Sequence, residues 1–151
     1  MQDLKQTAQT QIDAQAGRLI ELSRQMQANP ELGYKEFKAA AWLTDYLESL
    51  GFQVQRGVAD MPTAFIATMQ GSQPGPTIAI VAEYDALAGV GHGCGHNLIG
   101  AGAVGAGAGL AAVIKDIAGT VKVIGTPAEE YVEGPEGKIK MLDAGAFEGV
   151  D

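Results

Sequence analysis

TIAIVAEYDALAGVGHGCGHNLIG, residues 77–100, joins a β-branched apolar run to a loop of potential metal ligands. Its first six residues, 77–82, are typical of a strand buried on both faces, and we expect a central parallel strand there. The following loop holds both histidines, the single cysteine and an aspartate among closely spaced glycines. Glycine lets the backbone turn tightly enough for side chains close in sequence to point at one centre. The stretch therefore predicts a metal site beside a sheet.

A long apolar helix and a second strand follow this loop. Residues 98–114 are almost wholly Leu, Ile, Val, Ala and Gly, and residues 120–125 (TVKVIG) have the pattern of a strand. Strand, helix and strand make a βαβ unit, whose two strands run parallel and share an end. Because ligands bind beyond the carboxyl ends of such strands, the loops after both strands should open onto one crevice. The second loop brings Glu129 and Glu130 to that crevice.

The rest of the chain is expected to flank this unit. Five glycines should weaken the helix over 98–114, each by about 1 kcal/mol relative to alanine, and close packing is the expected compensation. Apolar spacing predicts further helices, and alternation predicts further strands. The predicted helices cover residues 10–28, 37–50 and 138–145, and the predicted strands cover 52–56 and 63–69.

Composition excludes several classes of protein. A net charge of −8 with only 10 Lys and Arg argues against electrostatic binding to nucleic acid or anionic membranes. One cysteine cannot form an internal disulfide, and the polar N-terminus has no apolar signal region, so we expect a reducing cytoplasm. Residues 98–114 fall short of the about 20 residues of a membrane span. The chain stops just after beginning a new apolar element, FEGVD, which suggests the first part of a longer protein.

The ligand types in the two loops suit zinc chemistry. Thiolate, imidazole and carboxylate all bind zinc, and a catalytic zinc leaves one position for water or substrate. The spacing of His92, Cys94 and His96 does not by itself decide which of them bind. Of Glu129 and Glu130, one would ligate the metal and the other would take a proton from water. This arrangement is typical of metal-assisted amide hydrolysis.

Two other interpretations use the same residues. The loop can have a purely structural role, and the glutamate pair can be solvated surface. Residues 100–105, GAGAVG, also match the GxGxxG fingerprint of dinucleotide-binding domains. We disfavour that interpretation, because these glycines follow a ligand-rich loop instead of emerging directly from a strand.

AEYDALAGVGHGCGHNLIG followed by GTPAEE resembles the metal-dependent aminoacylase and carboxypeptidase family of amidohydrolases. NPELGYKEF and MPTAF are similar to the branch that contains aminobenzoyl-glutamate hydrolase subunits and aminoacylase-like dipeptidases. The resemblance implies an α/β fold, a three-layer sandwich with a mostly parallel sheet flanked by helices. Residues 1–151 would be the N-terminal part of that catalytic domain. The implied cofactor is one or two divalent ions, zinc before manganese or cobalt.

The resemblance also implies roles for individual residues. The family's metal ligands in these two motifs correspond to Cys94, His96 and Glu130, and its general base corresponds to Glu129. Asp85 matches the aspartate that orients a ligand imidazole. His92 is not a ligand in the family pattern. We expect it either to contact the substrate or to hydrogen-bond to a residue that binds the metal.

Several departures from the family pattern bear on function. Glu83 stands where the wider family has a metal-binding histidine, and Asn97 replaces an aspartate, which bears on the number or affinity of bound metals. The loop YVEGPEG, residues 131–137, is longer and more acidic than in relatives, which puts the shape of the crevice rim in doubt. Two further ligand histidines and a lid domain that forms a homodimer and reaches the substrate belong to later parts of the family's chains.

These departures leave two hypotheses. In the first, the complete protein hydrolyses an amide bond in a small N-acyl amino acid, a dipeptide or an aminobenzoyl-glutamate-like substrate, and residues 1–151 alone are inactive or nearly so. In the second, the chain is a non-catalytic metal-binding or regulatory domain derived from such an enzyme, which the missing ligands would suit.

Overall fold

The computed structural model describes residues 3–131 and 133–151. All the predicted elements are present, and two strands, β3 and β4, have the predicted bounds. The helices are α1 Leu4–Ala28, α2 Phe37–Ser49, α3 His96–Ala111 and α4 Gly137–Asp143. The strands are β1 Gln53–Arg56, β2 Phe65–Gln70, β3 Thr77–Ala82 and β4 Thr120–Gly125. Short 3₁₀ turns lie at Val58–Asp60 and Ile114–Asp116.

Within the described residues the strands form one mixed sheet in the order β1-β2-β4-β3. β3 and β4 pair in parallel over their full length, as the βαβ unit predicts. β2 pairs antiparallel with both β1 and β4. The expectation of a mostly parallel sheet is therefore wrong for this part of the chain. The short connection from β1 to β2 explains the first of these antiparallel pairs, because it allows a hairpin but not a crossover to a parallel strand.

β3 lies at the edge of this sheet and not at its centre. In the described part of the chain it pairs with β4 alone, and its other edge is open. Ile78 is 50% exposed and Val81 is 38% exposed. The prediction of a central strand buried on both faces is therefore wrong here, because an apolar run indicates a strand without indicating how many neighbours it has.

Two apolar cores cover the two faces of the sheet, so the molecule has three layers. Side chains alternate between the faces along each strand. On one face, Phe65 of β2 and Val123 of β4 pack with α1, α2 and α3. On the other face, Ile124 of β4 packs with Met141 of α4 and with the 3₁₀ turn at Val58–Asp60. This arrangement confirms the predicted α/β three-layer sandwich.

α3 packs between α1 and the sheet. A Cβ atom at Gly107 would lie 3.1 Å from Val123 and 3.3 Å from Leu47, so this glycine allows the predicted close packing. Gly102 is exposed and has no neighbour within 4 Å of a Cβ position. The GAGAVG segment lies inside α3, where backbone N–H groups bond within the helix and are not free to bind a phosphate. No helix in the described ranges is long and apolar enough to cross a membrane.

A buried carboxylate, Glu36, joins three loops behind the sheet. It is fully buried and accepts hydrogen bonds from the Tyr34 N–H at 2.9 Å, the Ala128 N–H at 2.8 Å and the Thr63 hydroxyl at 2.9 Å. Burial raises the pKa of Glu36, although these hydrogen bonds favour the ionised form. Ala128 has a left-handed backbone, with φ of 58°, directly before the glutamate pair. Glu36 therefore fixes the backbone on which that pair depends.

Two of the glycines of α3, Gly102 and Gly107, give a matched pair of substitutions. Gly102→Ala should raise the free energy of unfolding by about 1 kcal/mol, because alanine is the better helix former and the added methyl meets only solvent. Gly107→Ala should raise the free energy of unfolding by less than this or lower it, because its methyl would press on Val123 and Leu47 in the core and offset the same gain in helix propensity. Urea unfolding of both variants measures the difference. Equal effects at the two positions would contradict the packing described for α3.

Glu36 should make stability depend on pH. Its pKa in the folded chain is raised above the unfolded value of about 4.3, so its protonated form favours folding. That contribution is complete below the unfolded pKa and is lost as pH rises through the folded pKa. Glu36→Gln is uncharged throughout. Its free energy of unfolding should therefore rise relative to that of the unchanged protein as the pH increases above about 4 and through the raised pKa of Glu36.

Urea unfolding at a series of pH values measures this difference for Glu36→Gln. Glu36→Ala is the contrasting variant, because it leaves the buried N–H groups of Tyr34 and Ala128 without an acceptor. It should lose about 3 kcal/mol or more at every pH. A Gln variant whose difference from the unchanged protein is constant over the pH range would disprove the pKa shift.

Candidate metal centre

The two loops of the βαβ unit leave the sheet side by side. Ala82 and Gly125, the last residues of β3 and β4, are paired in register. Just beyond them, the Thr126 N–H donates to the carbonyl of Ala82 at 2.8 Å. Residues 83–96 and 126–130 therefore start from the same edge of the sheet, where the sequence predicts a shared crevice.

Asp85 links these two loops and is almost fully buried, at 2% exposure. Its Oδ1 lies 3.0 Å from Nδ1 of His96, and its Oδ2 accepts the backbone N–H of Glu130 at 3.0 Å. Burial opposes ionisation of this carboxyl group. The hydrogen bonds from His96 and Glu130 outweigh burial and hold the pKa of Asp85 below its usual value. The carboxylate of Asp85 is therefore charged where it contacts Nδ1 of the His96 ring.

His96 is the first residue of α3, and its ring is buried. Nδ1 faces two acceptors, Oδ1 of Asp85 and the backbone carbonyl of Asp85 at 3.1 Å, so Nδ1 carries the proton. Nε2 is then free to bind a metal ion. The hydrogen bond to Asp85 raises the pKa of His96, while burial lowers it less. Asp85 therefore fixes both the orientation and the tautomer of this ring.

Three glutamate carboxylates face Nε2 of His96. The nearest oxygens of Glu83 and Glu129 are each 3.6 Å from it, and that of Glu130 is 4.0 Å from it. In the described part of the chain, one ligand atom each from His96, Glu129 and Glu130 lie within 4.8 Å of one another. Zinc bonds to nitrogen and oxygen are about 2.0–2.2 Å long, so small side-chain rotations bring three such atoms around one ion. The donor set fits a divalent metal.

Cys94 lies beside this group of three and not within it. It is exposed, and a hydrogen bond with Glu130 is the main cause that raises the pKa of its thiol. A thiol must lose its proton to bind a metal, and the neighbouring carboxylates oppose that loss. Of the metal ligands implied by the resemblance, the structure thus brings His96 and Glu130 together and places Cys94 in contact with Glu130.

His92 and Asn97 face α1 and not the carboxylates. The His92 ring hydrogen-bonds to the backbone carbonyl of Met26, and its buried Nδ1 has no partner among the described residues. Burial lowers the pKa of His92. Asn97 donates to the hydroxyl of Ser23 at 3.0 Å. Both side chains therefore attach the ligand loop and the start of α3 to α1.

Two charged residues of the site, Glu83 and Lys138, are not assigned a role by the sequence. Nζ of Lys138 lies 2.6 Å from Oε1 of Glu83 and 3.6 Å from Oε1 of Glu129. In the sequence, Glu83 is notable only because it stands where the wider family has a histidine. No spacing rule connects it to a lysine 55 residues away. The available signal for Lys138 is weak: it is the first of two lysines, Lys138 and Lys140, that follow the acidic loop 131–137.

The sequence of this chain is similar to those of known hydrolases. One of the subunits of p-aminobenzoyl-glutamate hydrolase from Escherichia coli K12 is 36% identical over 100% of this chain, and Xaa-Arg dipeptidase of Mus musculus is 43% identical over 98% of it. The chain spans 34% and 36% of the lengths of these two relatives. Both belong to the kinds of enzyme that the motifs resemble.

Structure and family comparisons give the same result. A crystal structure of a dinuclear metal binding peptidase from the M20 family of Bacillus subtilis matches with a TM-score of 0.82 and 31% identity, covering 92% of this chain and 42% of that one. The model of peptidase family M20/M25/M40 matches residues 72–151, more than half of the 151 residues. These residues include β3, both ligand loops and α3. The chain therefore belongs to peptidase family M20/M25/M40.

Proposed function

We propose that the protein containing this chain hydrolyses an amide bond in a small N-acyl amino acid, a dipeptide or an aminobenzoyl-glutamate-like substrate, with a divalent metal as cofactor. The observation that carries this proposal is the group of His96, Glu129 and Glu130 at the shared end of β3 and β4. Relatives named as part of a p-aminobenzoyl-glutamate hydrolase and as a dipeptidase support the substrate class. Both of those names describe cleavage of an amide bond in a small molecule.

The glutamate pair divides into a ligand and a base. Glu130 is tied by its N–H to Asp85 and by its carboxylate to Cys94, so it lies among the candidate ligands. Glu129 has one oxygen facing His96 and the other facing Lys138, and its side chain is 30% exposed, as is that of Glu130. Exposure does not separate the two glutamates, and the assignment of Glu129 as the general base rests on its match to the base of the family motif. We assign metal binding to His96, Glu130 and Cys94 as a thiolate, and proton transfer to Glu129.

The residues of this chain then act as follows. A bound divalent ion, zinc in our proposal, would polarise the amide carbonyl and lower the pKa of water. Glu129 takes a proton from the attacking water and returns it to the leaving amine. Asp85 keeps the His96 ring in the tautomer whose Nε2 faces the crevice. The adjacent buried Glu36 holds Ala128, and hence the backbone before Glu129, in place.

A non-catalytic metal-binding or regulatory domain is the competing function. The three-residue group in the described chain is compatible with it, because metal binding alone needs no general base. Metal analysis together with amidase assays on acyl-amino acids, dipeptides and aminobenzoyl-glutamate separates the two. Hydrolysis that is lost on chelation and restored by metal supports the enzyme. A complete gene product that binds metal and hydrolyses none of these substrates supports the binding domain.

Substitution of the base tests the mechanism. Glu129→Gln in the complete gene product should keep the metal bound and lower kcat by about 100- to 10,000-fold, because the amide cannot accept the proton of water. Glu21→Gln, at an exposed position on α1, is the matched control and should leave kcat unchanged. Steady-state kinetics with measurement of metal content gives both results. Near-normal turnover in the Glu129 variant would remove this residue from the mechanism.

Substitution of Asp85, which contacts Nδ1 of His96, tests whether it orients the imidazole ring. Asp85→Asn should weaken metal binding by about 10- to 100-fold, because the ring loses its charged partner. His92→Gln is the control on the same loop and should leave the metal affinity unchanged, since His92 faces Met26. Competition with a chromogenic chelator measures the affinities, and circular dichroism checks that both variants are folded. An equal loss of affinity in the two variants would contradict the assignment of ligands.

A further inference from the structure

An ammonium group reaches into the carboxylates of the candidate metal centre. Nζ of Lys138 is 2.6 Å from Oε1 of Glu83 and 3.6 Å from Oε1 of Glu129. The Lys138 side chain is 32% exposed and the Glu83 side chain is 18% exposed, so the pair is only partly screened by water. Glu136 is a further carboxylate whose charge acts on Lys138.

The start of α4 places this lysine against the second loop. Gly137 is buried, and a Cβ atom there would collide with the backbone carbonyl of Pro127. Glycine therefore allows α4 to begin in direct contact with the loop that carries Glu129. Lys138, the next residue, lies near Oε1 of Glu129, whereas His96 lies near Oε2 of the same carboxylate.

Lys138 holds Glu83 and Glu129 in matching orientations. Each of the two carboxylates has Oε1 toward the ammonium and Oε2 at 3.6 Å from Nε2 of His96. Glu130 also approaches that nitrogen, so three negative groups converge on one imidazole. Like charges at this separation repel one another, and the ammonium offsets part of that repulsion.

We propose that Lys138 is a positioning residue for Glu129. It also prevents Glu83 and Glu129 from joining Glu130 as ligands of the metal ion. This inference rests on the proposed function, because it assigns Glu129 the role of base. The ammonium holds one oxygen of Glu129 and leaves the other for water. It holds Glu83 in the same way, so that Glu130 remains the glutamate that ligates.

Loss of the ammonium should then change metal binding and turnover in opposite directions. Without Lys138, the carboxylates of Glu83 and Glu129 are free to join Glu130 around the cation, and one positive charge near the ion is gone. Metal affinity should rise. Turnover should fall, because Glu129 is no longer held where it can accept a proton from water. A lysine that only stabilised the fold would lower both quantities or neither.

The test uses Lys138→Met in the complete gene product, with Lys140→Met as the matched control. Lys140 lies on the same helix, but its Nζ stands over the ring of Tyr34, 4.1 Å from the centroid. Zinc affinity is measured by competition with a chromogenic chelator, and kcat and KM are measured at saturating zinc. For Lys138→Met we expect about tenfold tighter zinc binding from the lost charge. We also expect a kcat lower by about tenfold or more, with little change in KM, from the misplaced base. Lys140→Met should change none of these.

Zinc affinity that is unchanged or lower in Lys138→Met would overturn the proposal, and so would an unchanged kcat. Lys138→Arg keeps a positive charge at the same place and should recover most of the loss in kcat, whereas equal losses in the Arg and Met variants would also overturn it. If the unchanged protein hydrolyses no amide, the proposed function fails separately. The measurement of zinc affinity in Lys138→Met still decides whether Lys138 keeps the carboxylates of Glu83 and Glu129 from binding the metal.

Discussion

The carboxylate of Asp85 joins the two halves of the site, and the rest of the centre depends on this contact. One oxygen binds the ring of His96 from the first loop, and the other binds the N–H of Glu130 from the second loop. Burying a carboxylate is costly unless charged hydrogen bonds compensate it, and here both oxygens have such partners. The parallel pairing of β3 and β4 brings the loops close enough for a single side chain to span them.

A second set of hydrogen bonds supports the same loops from behind. The Tyr84 hydroxyl donates to the carbonyl of Thr63 at 2.7 Å, the Thr63 hydroxyl donates to Glu36, and Glu36 accepts the N–H of Ala128. Tyr84 lies next to Asp85 in the chain, and Ala128 lies next to Glu129. Each loop is therefore held both at the site and behind it. Buried polar groups that are fully bonded in this way give a rigid support, which a centre of converging carboxylates needs.

Much of the fold follows from local sequence. β3 and β4 have their predicted bounds, because each is a run rich in β-branched residues that begins directly after a proline or a glycine. The pairing of the strands could not be predicted from local sequence. An apolar pattern identifies one strand, whereas its neighbours in the sheet depend on distant parts of the chain. The short segment between β1 and β2 does carry a signal for an antiparallel pair. Within the site, Asp85, His96 and the glutamate pair lie in compact motifs. Glu36 acts across 92 residues and Lys138 across 55, and no local pattern reports such contacts.

The charge of the site explains why a cation is central to it. Four carboxylates, those of Glu83, Asp85, Glu129 and Glu130, lie within reach of His96. Lys138 supplies one positive charge beside them, which leaves −4 + 1 = −3 for these five groups. A divalent ion bound together with the Cys94 thiolate would add +2 − 1 = +1, so binding would still offset part of the repulsion among the carboxylates. In the proposed site the ion that activates the amide therefore also stabilises the loops that bind it, and its affinity depends on how far Lys138 already balances the same charges.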